Sequence, residues 1–269
     1  MKILKAIINF YIQSSMHVAL AVTALAVVSV MQYGFVPEPV VLAFIFFGTI
    51  VGYNFVKYAG VSNQHNLKIT PNINLIRGFS VLCLIAMGYF GLKLPVNVLL
   101  AAAIFGGLTL LYALPLYKSR NLRGLSGAKI YIIALVWVGV TVLLPLEYHN
   151  MAFRLKILYQ CLEIFFFVIA LTLPFEIRDL KYDEKELGTI PQKLGIRKTK
   201  WLGTALLILM AGLTSMQTYV TDAYPVISYI IAGITLIAVG GAKENQNKYY
   251  ASLWVESIPI LWLILLLLA

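Results

Sequence analysis

The chain has 269 residues, of which 61% are hydrophobic and 12% are charged, whereas a soluble domain usually has about 25% charged residues. That composition excludes a soluble globular protein and indicates an integral membrane protein. The formal net charge of +10 comes mainly from bases that lie between apolar stretches. It therefore indicates membrane topology and predicts no nucleic-acid partner.

Nine stretches are long and apolar enough to cross about 30 Å of hydrocarbon as helices. They lie at residues 17–36, 40–58, 76–92, 96–114, 128–146, 157–174, 201–220, 224–241 and 250–268. No linker or change of composition divides the chain. We therefore predict a single membrane domain over residues 1–269, an all-α polytopic bundle of about nine transmembrane helices.

The basic residues predict the orientation of the bundle. With the N-terminus in the cytoplasm and nine spans, 18 of the 21 lysines and arginines fall on the inner side. Only Lys93, Arg154 and Lys156 fall on the outer side. This asymmetry follows the positive-inside rule. We expect a protein of the plasma (inner) membrane whose N-terminus and long polar loops are cytoplasmic.

A cluster of acids and bases begins where the sixth span ends. Glu176, Asp179 and Asp183 stand at positions i, i+3 and i+7, so a continuing helix would place them on one face. A membrane helix needs no such acids for its own folding, and carboxylates on one face suit a hard divalent cation. The alternative is a solvated helix face on which the acids pair with neighbouring bases.

The same segment carries a longer pattern, Arg178-Asp179, then Asp183, Gly188-Thr189-Ile190-Pro191 and Leu194-Gly195. It resembles the second aspartate-rich motif of the UbiA superfamily of intramembrane prenyltransferases, which are nine-helix proteins. In that family, two such motifs at the inner ends of the second and sixth helices bind the diphosphate of an isoprenyl donor through Mg²⁺. The resemblance implies that Asp179 and Asp183 are catalytic Mg²⁺ ligands, with Glu176 as an auxiliary ligand and Arg178 as a substrate contact.

The first motif of the family is degenerate here. Asn54 is followed at its fourth and eighth positions by Tyr58 and Ser62, where the family has aspartate. We expect Asn54 to donate to a phosphate or to coordinate through its amide oxygen, and Lys57 to supply the positive charge that a second metal ion normally brings. The alternative is an ordinary polar helix end, with Lys57 and Tyr58 at the lipid headgroups.

A basic segment follows the fourth span and resembles the family's tyrosine- and lysine-bearing segment, which helps to hold the diphosphate. Its candidate substrate-binding residues are Tyr112, Lys118, Arg120, Arg123 and Lys129. Several bases close together suit a polyanion. The alternative is that the loop attracts anionic lipid, as inner loops of many membrane proteins do.

Two further acids, Glu163 and Glu256, lie within predicted spans. An ionised carboxylate is costly in hydrocarbon, so each is expected to pair or to face a cavity. Because Glu256 falls in the inner half of the ninth span, it is a candidate to border a substrate chamber.

The resemblance implies a Mg²⁺-dependent transferase of alkyl groups other than methyl. Its substrates would be an isoprenyl diphosphate and a small aromatic or lipid acceptor within the bilayer. The degenerate first motif leaves an alternative, a non-catalytic lipid-binding or scaffold protein of the same fold. A transporter is a more distant alternative, since the second and sixth spans carry similar polar ends.

Overall fold

Helices connected by turns make up the described parts of this computed structural model, which are residues 2–58, 73–113, 127–182 and 187–269. The helices are α1 Lys2–Gln13, α2 Met16–Met31, α3 Pro39–Tyr58, α4 Ile73–Gly91, α5 Val96–Ala113, α6 Lys129–Tyr148, α7 Leu155–Asp179, α8 Ile190–Ser215, α9 Ala223–Gly241 and α10 Tyr250–Leu268. The prediction of an all-α membrane bundle is confirmed.

Each of the nine predicted spans is largely helical. Among the described residues, seven helices (α3 to α7, α9 and α10) are long and apolar enough to cross a membrane. The α1–α2 pair, bent by 56°, makes an eighth if it counts as one span. The remaining helix, α8, has a polar first part that lowers its mean hydropathy. Length and composition therefore support seven or eight spans, slightly fewer than the nine predicted.

The centre of the bundle is formed by α2 and α7. Helix α2 packs against α3, α6 and α10, and α7 packs against α6, α8 and α9. Small residues such as Ala19, Ala21 and Ala26 are fully buried on α2 and allow close approach of neighbouring helices. By contrast, in an apolar stretch of 18 residues in each helix, only 11% of the residues are buried in α4 and α5, against 61% in α7. Their apolar side chains therefore face lipid.

Helix α6 contains a π-helical turn at Gly139–Leu143. The turn begins where α6 crosses α5, with Gly139 against the ring of Phe105; a Cβ atom at this glycine would overlap the ring. The missing side chain therefore permits the close approach of the two helices. Two residues before Gly139, the same helix carries Trp137, whose side chain is 4% exposed.

Candidate functional site

The amide of Asn54 fastens the bend between α1 and α2. It lies on the last turns of α3 and is 4% exposed. Its Oδ1 accepts a hydrogen bond from the Ser15 hydroxyl (2.8 Å), while its Nδ2 donates to the Ser14 carbonyl (3.0 Å) and to Ser80 Oγ (2.8 Å). Ser15 has a left-handed backbone (φ 65°), which is unusual for a residue other than glycine. Asn54 is therefore committed to protein contacts that hold this bend in place.

Lys57 and Tyr58, which follow Asn54 on α3, also contact the bend. The Lys57 ammonium donates to Ser15 Oγ at 2.9 Å, and the Tyr58 hydroxyl donates to the Gln13 carbonyl at 2.8 Å. A lysine ammonium carries three donors. Lys57 can therefore donate to a further partner. By contrast, Asn54 Oδ1 already accepts one hydrogen bond and both N–H groups of Nδ2 already donate.

The last turns of α3 and α7 lie at the same end of the bundle, called here the motif end and defined by Lys57 and Asp179. Lys57 lies close enough to Arg178, on the last turn of α7, and to Glu256 of α10 for their charges to interact. All three side chains are half-buried. The structure thus brings two of the predicted substrate-binding cations together with an acid from a third helix.

Three aromatic side chains, Tyr53, Tyr112 and Trp137, lie beside these charged groups. The indole of Trp137 donates to the Tyr53 hydroxyl at 2.7 Å, and the Lys57 ammonium lies 5.9 Å from the centre of the Tyr53 ring. Tyr112, predicted from the sequence as a substrate contact, is 5% exposed and lies near Tyr53. A cation beside aromatic faces and a carboxylate is an arrangement that can hold a charged headgroup against an apolar chamber.

The acids of the second motif pair with bases in the structure. Glu176 is buried and forms an ion pair with Lys129 of α6, with 2.8 Å between Oε1 and Nζ. Asp179, whose side chain is 25% exposed, accepts hydrogen bonds from Arg178 Nε at 2.7 Å and Nη2 at 3.2 Å. The exposed Asp179 is available to exchange partners, whereas the Glu176–Lys129 pair joins α7 to α6 inside the protein.

The glycines of the second motif shape the start of α8. Gly188 (φ 53°) precedes the helix, and the Gln192 side chain accepts a hydrogen bond from the Thr189 backbone N–H at 2.9 Å. Pro191 lies in the first turn, where its missing N–H costs nothing. Gly195 (φ 75°) then breaks the helical geometry. These residues direct the chain from the acidic segment back into the bundle.

Four predicted site residues lie outside the described residues, and the structure gives no account of them. They are Asp183, Lys118, Arg120 and Arg123.

A magnesium ion suits the second motif better than the first. Within the described ranges, no group of three or more His, Cys, Asp or Glu side chains is placed to hold a metal. Mg²⁺ in phosphate sites commonly uses one or two carboxylates and completes its shell with substrate oxygens and water, and the partly exposed Asp179 fits that role. At the first motif, the ammonium of Lys57 does not fit a metal ion, and the Asn54 amide is engaged in three hydrogen bonds within the protein.

Sequence reasoning did not include Tyr53 and Trp137 among the site residues. A polar aromatic side chain in a span also occurs at membrane interfaces, so neither residue gives a specific signal. Glu256 was signalled by its charge within a span. Its partners, Lys57 and Arg178, come from distant parts of the chain and depend on helix packing.

Solved structures with the same architecture include a UbiA homologue from Archaeoglobus fulgidus bound to GPP and Mg²⁺. It is 17% identical, with a TM-score of 0.66 over 96% of this chain and 97% of that chain. The same homologue bound to Cd²⁺ gives a TM-score of 0.64 at 16% identity over 94% and 97% of the two chains. A digeranylgeranylglyceryl phosphate synthase gives 0.53 at 18% identity over 100% and 97%.

No protein-family model and no curated protein sequence matches the chain. The structural agreement extends over nearly the whole length of both chains, so it covers the complete helical arrangement. The chain therefore has the fold of the UbiA superfamily of integral membrane prenyltransferases.

Proposed function

We propose that the chain, as one domain over residues 1–269, is a UbiA-superfamily prenyltransferase. It transfers a polyisoprenyl group from its diphosphate to a small aromatic or lipid acceptor within the bilayer. The observation that carries the proposal is the meeting of Lys57, Arg178 and Glu256 at the motif end. In a bundle with this fold, two cations beside a half-buried acid provide both an anion site and a polar group for a second substrate.

The diphosphate binds through Lys57 and Arg178, with Lys118, Arg120 and Arg123 as supporting cations. Charge-assisted hydrogen bonds to phosphate are stronger than neutral ones, and the ammonium of Lys57 keeps donors beyond its bond to Ser15. Lys129 acts indirectly, because its ion pair with Glu176 fixes the last turns of α7. That pairing gives Glu176 a positioning role in place of the metal-ligand role predicted from the sequence.

Asp179 and Asp183 would hold a single Mg²⁺ at the second motif. When bound, the ion neutralises charge on the diphosphate and makes it a better leaving group. The cation of Lys57 takes the place of a second metal ion at the degenerate first motif. Asn54 contributes by holding Ser15, and thereby the Lys57 ammonium, in position.

The chemical step breaks the bond between the allylic carbon and the diphosphate oxygen and forms a bond from that carbon to the acceptor. Tyr53, Tyr112 and Trp137 exclude water from the developing allylic cation and present aromatic faces to it. The acceptor loses a proton as the new bond forms. We assign Glu256 as the base, because its carboxylate lies beside the same cations that bind the leaving group.

The motif end faces the cytoplasm in this proposal, and the membrane is the plasma (inner) membrane. The asymmetric distribution of lysine and arginine supports this orientation.

Thermal unfolding with both ligands tests the proposal. Mg²⁺ added together with geranylgeranyl diphosphate should raise the Tm of the purified protein, because a ligand selective for the folded state stabilises it. Either ligand alone should have a much smaller effect. Asp179→Asn and Asp183→Asn should each abolish the joint shift and leave the unliganded Tm nearly unchanged, whereas Lys185→Gln, on the same segment, should keep it. Retention of the full shift in both Asp→Asn variants would exclude the magnesium site.

Lys57→Met tests the replacement of the first metal ion. It should weaken binding of the diphosphate by about 1.5–3 kcal/mol, the value of a charge-assisted hydrogen bond, at saturating Mg²⁺. An unchanged affinity would remove Lys57 from the site.

One observation favours the scaffold alternative: the Asn54 amide makes three hydrogen bonds within the protein, one accepted and two donated. Incubation with radiolabelled geranylgeranyl diphosphate and a total lipid extract distinguishes the two. A labelled lipid product that requires Mg²⁺ supports the enzyme, and a Mg²⁺-dependent Tm shift without product supports the scaffold.

A further inference from the structure

A second group of buried polar side chains lies at the end of the bundle opposite the motif end, where α2 ends and α9 begins. Its centre is Glu163 of α7, which is 0% exposed. The Thr214 hydroxyl donates to Glu163 Oε1 and the Gln217 amide donates to Oε2, each at 2.9 Å. The Gln32 amide donates in turn to Gln217 Oε1 at 2.7 Å. The Gln217 amide is thus a donor to the carboxylate, whereas the single proton of the Thr214 hydroxyl also has the Met210 carbonyl within reach at 3.1 Å.

Within the described parts of the chain, this carboxylate has neutral hydrogen-bond donors and no ion-pair partner. Among the described residues, no lysine, arginine or histidine forms an ion pair with Glu163, and the ion pairs that do form lie at the motif end. An ionised carboxylate in the interior of a membrane protein is costly unless a positive charge accompanies it. A bound proton or a bound metal cation would each provide that charge.

Six buried side-chain oxygens at this end of the bundle have no hydrogen-bond partner among the residues that the structure describes. They are Ser29 Oγ, Gln32 Oε1, Tyr33 OH, Gln160 Oε1, Tyr224 OH and Ser228 Oγ. Buried polar atoms without partners are rare in native proteins. Six in one region, at the same end of the bundle as a carboxylate without an ion-pair partner among the described residues, indicate a ligand that is bound by oxygen atoms.

These oxygens belong to helices that are joined around Glu163. Gln160 lies one turn before it on α7 and donates through Nε2 to the Ser29 carbonyl of α2 at 3.0 Å. The Tyr224 hydroxyl of α9 faces the Gln160 side chain and, like Tyr33, is within reach of the Glu163 charge. The Tyr33 hydroxyl is an un-ionised phenol at neutral pH and is therefore a neutral oxygen of this group.

We propose that Glu163 and the surrounding amide and hydroxyl oxygens bind a monovalent metal cation, Na⁺. One carboxylate among neutral oxygens matches a single positive charge, and hard cations are bound by carboxylate, amide and hydroxyl oxygens. A proton on Glu163 would neutralise the acid but leave the six oxygens without partners. Because the ligands come from α2, α7 and α9, the ion ties one end of α7, whose other end carries Arg178 and Asp179, to two helices that contribute no residue to the diphosphate site.

The dependence of Tm on Na⁺ tests this proposal in the purified full-length protein, without any prenyl substrate. Replacing choline with Na⁺ at constant ionic strength should raise the Tm of the protein in a saturable way. The expected increase is about 5–10 °C when the Na⁺ concentration is a hundred times the dissociation constant. Glu163→Gln keeps the shape and the acceptor for Thr214 but removes the charge, so it should abolish the Na⁺ dependence. Glu147→Gln, which alters another carboxylate whose partner is Asn97, should retain it.

Two smaller changes keep the test valid if Glu163→Gln does not fold. Ser228→Ala and Tyr224→Phe each remove one unpartnered oxygen and should weaken Na⁺ binding about tenfold. Thr235→Val is the matched control, because its buried hydroxyl on α9 already donates to the Ile231 carbonyl at 2.8 Å; it should leave Na⁺ binding unchanged.

Three results would overturn the proposal. The first is an identical Tm in Na⁺ and choline. The second is a Na⁺ dependence that survives in Glu163→Gln, Ser228→Ala and Tyr224→Phe. The third is a stabilisation that appears on lowering the pH in choline, that Na⁺ does not reproduce and that Glu163→Gln abolishes, since this would identify a proton as the ligand.

Discussion

Replacing Asn54 with leucine should destabilise the protein without acting directly on the donor diphosphate. Leucine has nearly the same shape, but it removes one hydrogen bond accepted from Ser15 and two donated to Ser14 and Ser80. At about 1 kcal/mol for each bond, we expect a loss of about 3 kcal/mol in the free energy of unfolding. For a chain of this size, that loss lowers the Tm by about 6–12 °C.

The assay is thermal unfolding of the purified variant in detergent, followed by titration with the diphosphate and Mg²⁺ at a temperature where the variant is folded. Thr49→Val is the control on the same helix. Its hydroxyl bonds only to the Ile45 carbonyl one turn away, so we expect a change below about 1 kcal/mol. If Asn54→Leu lowers the Tm no more than the control does, the hydrogen bonds of Asn54 do not stabilise the bend between α1 and α2. An unchanged Tm with a much weaker diphosphate affinity would instead identify Asn54 as a phosphate ligand.

Two further predictions concern helix packing and orientation. Gly139→Ala should cost about 1–3 kcal/mol, because its Cβ would overlap the Phe105 ring, whereas Gly107→Ala on α5, with open space around it, should cost nothing measurable in the same unfolding assay. In a variant with both cysteines replaced by alanine, a cysteine at Lys181 should react with an impermeant maleimide only from the cytoplasmic face and one at Met216 only from the opposite face. Both positions are exposed, and labelling of the two from the same face would refute the proposed orientation.

Local sequence determined the helices of this protein. A stretch of about 20 apolar residues in a bilayer must satisfy its own backbone hydrogen bonds, and a helix does so within the segment. Hydropathy therefore located nine of the ten described helices, α2 to α10, and did not predict α1. The start of α8 differs from the prediction. The helix begins at Ile190, well before its apolar part, because Pro191 and Gln192 start the helix within a polar segment.

The sequence also located the chemistry at the end of the sixth predicted span, because charged residues at the end of an apolar helix stand out against their surroundings. It predicted Asp179 and Arg178 as neighbours in one site, and the structure pairs them at 2.7 Å. Their roles with a diphosphate remain a proposal. The sequence did not reveal that Glu176 pairs with Lys129 at 2.8 Å, because Lys129 lies on a different helix; the role of Glu176 as a metal ligand stays a prediction.

Only the tertiary structure decided which polar groups meet across helices. Hydropathy does not specify how each helix is rotated about its axis or which neighbour it contacts, and transmembrane helices associate through packing and scattered polar contacts. For that reason the sequence did not reveal that Asn54 holds the α1–α2 bend, or that Lys57 faces Glu256. It marked Glu163 as an unusual acid within a span, but the surrounding amides and hydroxyls come from helices far apart along the chain, and only their packing brings those oxygens to one place.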